Sequence, residues 1–135
     1  MSKLKVFALI AALCLWELQA MAAETEVKAK GLTVFARIDH AAGAAQVGLP
    51  LPATELLIFG NAKGGTPLMQ SVQTIGIDLP LKALVWQDAS GVTWLSYNDP
   101  SWLAKRHGAG RDVESTVTAL TGALHALAKA ATGAQ

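Results

Sequence analysis

The sequence predicts an α+β domain: an antiparallel sheet of about four to five strands backed by helices on one face, ordered strand, helix, strand, then helix, hairpin and C-terminal helices. Three observations carry that expectation. Leu56-Leu57-Ile58-Phe59 is an unbroken apolar run closed by Gly60 and Asn61, too short for a helix, and it reads as a central strand covered on both faces. Residues 82–88 and 92–98 flank Ala89-Ser90-Gly91, a hairpin whose turn has its glycine placed for a bulge. Val113, Val117, Leu120, Leu124 and Leu127 recur at alternating steps of four and three, forming the apolar stripe of a helix over residues 112–131 that covers the sheet.

Ahead of these elements stand Lys3 and Lys5, an apolar segment from Val6 to Trp16, and Ala20-Met21-Ala22. This is the pattern of a secretory signal peptide over residues 1–22, cut near Ala22, and it sends the chain to the periplasm or outside the cell. The apolar segment has about eleven residues against the roughly 20 that a membrane-spanning helix needs, so no stable membrane insertion is expected after cleavage. Cys14 follows Leu13, a poor match to lipoprotein processing, and leaves with the signal. Residues 23–30 are mixed in charge without an apolar period and read as a flexible leader. Residues 31–135 then form a single domain of a size that buries one modest core.

Beyond the signal there is no cysteine, so neither disulfides nor thiolate chemistry can contribute. Without Lys3, Lys5 and Glu17 the chain keeps nine basic and nine acidic residues, from 11 and 10 in the whole. That balance excludes the basic surface a nucleic-acid partner requires and strong attraction to an anionic membrane.

In the first strand, Leu32, Val34, Ala36 and Ile38 alternate with Thr33, Phe35, Arg37 and Asp39, placing one face inward and leaving Phe35 awkwardly outside. Asp39 caps a short alanine-rich helix over residues 40–47, weakened by about 1 kcal/mol at Gly43 and ended by Gly48, Pro50 and Pro52. His40, beside Asp39 at that helix start, is the first candidate for chemistry; a ring hydrogen-bonded within the first turn is the alternative.

After the central strand, Gly64 and Gly65 admit positive φ, Thr66 is a good N-cap and Pro67 suits the first helical position. A helix is therefore expected to begin at Thr66. Open amides at such a start, with Lys63 beside them, offer a site for a carboxylate, sulfate or phosphate. A cap worth about 1 kcal/mol explains Thr66 equally well. Asn61, Lys63, Gly64, Gly65 and Thr66 are thus the candidate ligand-binding residues.

Ile75-Gly76-Ile77-Asp78-Leu79-Pro80 reads as an edge strand or extended bend, because Pro80 cannot pair in a sheet interior, with Asp78 facing solvent. Trp86, Trp94 and Tyr97 give the hairpin its bulk. Asp99 then caps a short helix opened by Pro100, with Trp102 and Leu103 turned inward and Lys105, Arg106 and His107 at the negative end of its dipole. Gly108-Ala109-Gly110-Arg111 links this to the final helix, which carries His125 on its solvated side.

Four blocks occur in order: Thr54-Glu-Leu-Leu-Ile-Phe-Gly-Asn61, Gly65-Thr-Pro-Leu-Met-Gln70, Ile75-Gly-Ile-Asp-Leu-Pro-Leu-Lys82 and Trp94-Leu-Ser-Tyr-Asn-Asp-Pro100. In these the chain resembles the domain-of-unknown-function family 302 (DUF302) over about Gly31 to Gly108. The resemblance implies a small α+β domain with an antiparallel sheet backed by helices, and it assigns no biochemical role. Members commonly have proline where Ala62 and Gln73 stand here, so two turn stiffeners are missing.

His40, His107 and His125 are isolated, no paired metal-ligand spacing exists and no Gly-x-Ser-x-Gly elbow is present, so no catalytic residue, metal or cofactor is expected. Three readings follow. The first is an exported binding module, self-associating as a homodimer, that presents residues 61–66 to a small anionic or polar ligand. The second is an enzyme using Asp39 and His40 with Asn98 and Asp99 as orienting groups. The third is a structural or regulatory partner protein of the cell envelope, joined through the C-terminal helix or a sheet edge.

Overall fold

A computed structural model describes residues 17–132, so the apolar segment of the expected signal peptide lies outside the described residues. Strands β1 (Thr33–Asp39), β2 (Thr54–Gly60), β3 (Leu81–Gln87) and β4 (Thr93–Tyr97) form one antiparallel sheet in the order β1-β2-β3-β4. Around it lie α1 (residues 17–29), α2 (His40–Gln46), α3 (Ala62–Ser71), α4 (Pro100–His107) and α5 (Glu114–Thr132), with 3-10 turns at Gln73–Ile77 and Arg111–Val113. The expected α+β class is the observed one.

Period-two alternation builds the core. Glu55, Leu57 and Phe59 on β2 and Leu81, Ala83 and Val85 on β3 are buried, and the register sets Leu57 beside Ala83 and Phe59 beside Leu81. Against them pack Leu103 of α4 and the α5 stripe, where Leu124 and Leu127 are fully buried and Val117 and Leu120 partly so. The α5 periodicity reads as expected because large residues repeat over about four turns. Gly91, at φ +81°, makes the β3–β4 turn that the sequence announces.

Elsewhere the structure corrects the sequence. Residues 23–30 are not a flexible leader: α1 runs to residue 29 and buries Ala20, Ala23 and Val27 in the core. That stripe is small and is interleaved with Glu24, Glu26 and Lys28, so its 3–4 spacing carries almost no hydrophobic signal. The expected cleavage point near Ala22 falls inside this helix. Glu24 on its outer side accepts hydrogen bonds from Lys28 (2.6 Å) and from Arg37 of β1 (3.0 Å).

In β1 the register with β2 shifts between Val34 and Ala36, a bulge at Phe35. Leu32 and Val34 reach the core before the bulge. After it, Ala36 and Ile38 pair with Ile58 and Leu56 on the opposite face, so the single inward face expected of this strand is split in two. The awkward Phe35 is the residue that the bulge turns aside.

A third correction concerns β2. It is an interior strand, yet only one of its faces is covered: Leu56 and Ile58 lie on the face shared with Ala36, Ile38, Leu84, Trp86 and Trp94, and none of these belongs to the core cluster. The segment before Pro80 is a 3-10 turn rather than an edge strand. Leu103 turns inward as expected, but Trp102 is exposed, its ring lying 5.4 Å below the Arg106 guanidinium.

Candidate functional site

β2 delivers Gly60 and Asn61 to the head of α3. Asn61 is the N-cap there: its Oδ1 accepts from the Gly64 amide at 2.7 Å, and the Gly65 amide donates to the Asn61 carbonyl at 3.0 Å. The helix therefore starts at Ala62, not at Thr66, because an asparagine at the strand end satisfies the first turn before threonine is reached. Pro67 lies inside the helix, where it forgoes one rung of the ladder. The Gly64 and Gly65 amides expected to hold an anion are closed by Asn61, and Lys63 and Thr66 are exposed side chains on the helix surface.

What the two glycines leave is space. A half-open pocket of about 270 Å³ lies between the head of α3, the β1 bulge, the turn into β3 and α5. Its bulky walls are Phe35, Met69, Leu79, Pro80, Leu81 and Leu120; Gly60, Gly64, Gly65 and Gly76 supply the bare backbone, and Asn61 is the one polar side chain among the lining residues. A Cβ on Gly64 would stand 3.3 Å from Leu120 Cδ2, and one on Gly65 would meet Leu79 and Met69 at 3.8 Å. Of the five candidate ligand-binding residues, Asn61, Gly64 and Gly65 line this pocket, whereas Lys63 and Thr66 do not. No titratable group lines it, so it contains no general acid, base or charged nucleophile.

The second set of candidates does not converge. Asp39 caps α2 by accepting from the Ala42 amide at 2.8 Å, and His40 is the exposed first residue of that helix, both at the end of β1. Asn98 and Asp99 follow β4, on the far edge of the sheet and at its opposite end, more than three strand spacings or about 14 Å away. Asp99 caps α4 through the Ser101 and Trp102 amides (2.7 and 3.3 Å), and the Ser101 hydroxyl bonded to it holds its carboxyl below the usual range. The pairing of Asp39 and His40 with Asn98 and Asp99 is thereby undone.

One cluster escaped the sequence. His107 Nε2 lies 2.6 Å from Asp78 Oδ2, Thr74 Oγ1 lies 3.5 Å from the other ring nitrogen, and Arg106 Nε stands 3.9 Å from the same carboxylate. A pair 29 residues apart has no local signature, so Asp78 read as solvent-facing and His107 as a helix-end cation. The pair ties the turn that leads into Leu79 and Pro80, a pocket wall, to the end of α4. The His107 hydrogen bond, helped by the Arg106 charge, holds the Asp78 carboxyl below its ordinary value. Its stabilisation is therefore present above that ordinary value and lost as pH falls through the lowered one. Asp78→Asn is expected to lower stability by about 1 kcal/mol at pH 5, and the gap to wild type in thermal melts should close as pH drops below 4.

Three comparisons place the chain among known proteins. It is 49% identical over 108 residues to proteins named fluoride-specific ion channel FluC 1 from Brucella suis biovar 1 (strain 1330) and Brucella abortus biovar 1 (strain 9-941). Those matches cover 80% of this chain but 42% and 40% of the relatives, so the chain spans about two fifths of their length. The crystal structure of an uncharacterized conserved DUF302 protein from Bacillus stearothermophilus is similar with a TM-score of 0.75 over 84% of this chain and 88% of that one, at 18% identity, which is a likeness of fold. The domain of unknown function DUF302 matches residues 19–127, a span that takes in α1 and most of α5 as well as the whole sheet, and the chain belongs to that family.

Proposed function

We propose that this domain is a binding module whose site is the pocket at the head of α3, and whose ligand is a small, mainly apolar molecule with one uncharged hydrogen-bonding group for Asn61. The observation that supports it is the pair Gly64-Gly65. Glycine in a helix costs up to about 1 kcal/mol relative to alanine, and neither residue has the positive φ that would demand it. Both border the pocket. A side chain at Gly64 would crowd the Asn61 Oδ1 cap at 3.2 Å and Leu120 at 3.3 Å. At Gly65 it would only fill the pocket, so there the helix gives up stability and the pocket gains volume. An engineered cavity of about 150 Å³ holds benzene, so 270 Å³ suits a ligand of roughly ten heavy atoms. Apolar walls leave a buried anion without compensation, which narrows the small anionic or polar ligand first expected at residues 61–66 to an uncharged one.

Titration with indole and with 1-octanol, followed by amide chemical shifts, tests the reading. Shifts are expected at residues 60–65 and at Leu120, and Gly65→Leu should abolish them while the thermal midpoint stays level or rises. Undiminished shifts in Gly65→Leu would place the ligand elsewhere. Gly65→Ala, whose added methyl group fits at ordinary contact distance, is expected to raise stability by up to about 1 kcal/mol and weaken binding only in part.

A second reading rests on the names of the Brucella relatives: the shared stretch accompanies an ion-conducting part. Among the described residues no helix is long and apolar enough to cross a membrane, which favours a companion role over a share of the pore. Fluoride NMR with sodium fluoride should then show no binding to this stretch alone. Export belongs to the same proposal: a cut near Ala22 leaves residues 23–29 of α1, with Ala23 and Val27 still in the core. The intact mass of the exported protein measures that cut.

A further inference from the structure

With the pocket at the head of α3 as the binding site, as proposed above, we infer that it selects for a hydrogen-bond acceptor. Its ligand is a flat ring compound whose one polar group is a carbonyl oxygen, held by the side-chain NH2 of Asn61.

The Asn61 side chain carries one oxygen and one NH2 group, and the cap of α3 decides which of them is left for a ligand. Oδ1 accepts from the Gly64 amide at 2.7 Å. An N–H can be met only by the oxygen, so the side chain cannot flip without breaking its own cap. The NH2 group is the arm left over, and among the described residues no protein acceptor meets it. The Asn61 backbone carbonyl is engaged as well, by the Gly65 amide at 3.0 Å.

A donor on the ligand finds less. The other lining side chains are apolar or glycine, and the Pro80 carbonyl already accepts from Lys82 Nζ at 3.0 Å. The carbonyls of Ala62, Gly64 and Gly65 run along α3 away from its head. A donor-only ligand therefore sets its N–H against an NH2 and leaves both unpaired, which costs more than a hydrogen bond gains.

The rest of the pocket shapes the body of the ligand. Phe35 offers a ring and Met69 a polarisable sulfur, both suited to an aromatic partner. Bare backbone at Gly60, Gly64, Gly65 and Gly76 lets a flat molecule approach closely. An ionised carboxylate is also an acceptor, but its charge meets no cation in the lining.

Three bicyclic probes of nearly equal size test this on the purified protein: 1-indanone, an acceptor only; indole, a donor only; and indane, neither. Dissociation constants are read from amide chemical shifts. Wild type is expected to bind 1-indanone about fivefold more tightly than indole, the worth of one net hydrogen bond. Asn61→Ser and Asn61→Asp keep a good N-cap but lose the NH2, and far-UV circular dichroism confirms that each is folded. Both should weaken 1-indanone about fivefold while leaving indane within about twofold, and Asn61→Asp should come to prefer indole over 1-indanone. Indole binding wild type as tightly as 1-indanone overturns the acceptor selection and leaves the pocket standing, as do variants that weaken indane as much as 1-indanone. No shift at residues 60–65 with any of the three probes removes the pocket as the site, and the selection with it.

Discussion

Replacing Val27 with aspartate is expected to abolish the cooperative thermal transition of the domain, while Glu26→Ala beside it shifts the midpoint by no more than a degree or two. Val27 is 1% exposed and shares the core cluster with Leu57, Phe59, Leu124 and Leu127, although it lies in a stretch whose composition suggests an unstructured leader. A carboxylate there has no cation within the cluster, and an unpaired buried charge costs several kcal/mol. Small domains can hold as little as about 5 kcal/mol in total, so a loss of about 5 kcal/mol consumes that stability and removes the transition. Circular dichroism melts of the two variants distinguish a core helix from a leader, since a leader would leave both variants like wild type. A negligible effect of Val27→Asp would also detach α1 from the domain that the family match delimits.

How far the fold is legible in the sequence depends on the size and range of each signal. Large residues at helical spacing reveal α5, and a glycine turn between aromatic runs reveals the β3–β4 hairpin, because both signals are local and bulky. α1 hides because two alanines and a valine make its buried stripe. β1 misleads because a bulge at Phe35 swaps its faces partway along, and a bulge leaves no mark that strict alternation can register. At the site, the strand-to-helix passage at residues 54–70 is legible, but two caps compete within it. Asn61 stands where the strand ends and wins over Thr66, which closes the amides on which the anion reading depended. The pocket was beyond reach, since its walls come from four separated segments, and so was the Asp78–His107 pair.

Arg37→Ala is expected to destabilise the domain by about 2–3 kcal/mol, or about 8–12 °C in thermal midpoint. Glu55 is the one buried charged residue among the described residues, 6% exposed, and Arg37 Nε donates to its carboxylate while Nη1 reaches Glu24 on α1. The Glu55 bond, with the charges of both carboxylates, raises the guanidinium above its ordinary value. Breaking a fully buried pair costs about 3–5 kcal/mol; Arg37 is 41% exposed, so water recovers part of that here. Glu24→Ala, which removes the more exposed partner, should cost less than about 1 kcal/mol. The double variant Arg37→Ala, Glu55→Leu decides the cause. If the loss is that of a stranded charge, removing the charge restores stability to within about 1 kcal/mol of wild type, since apolar replacements of buried pairs are often neutral. If the double variant melts as low as Arg37→Ala, the loss lies in the packing of the arginine stem between α1 and the sheet, and the Arg37–Glu55 pair contributes to the placement of α1 rather than to net stability.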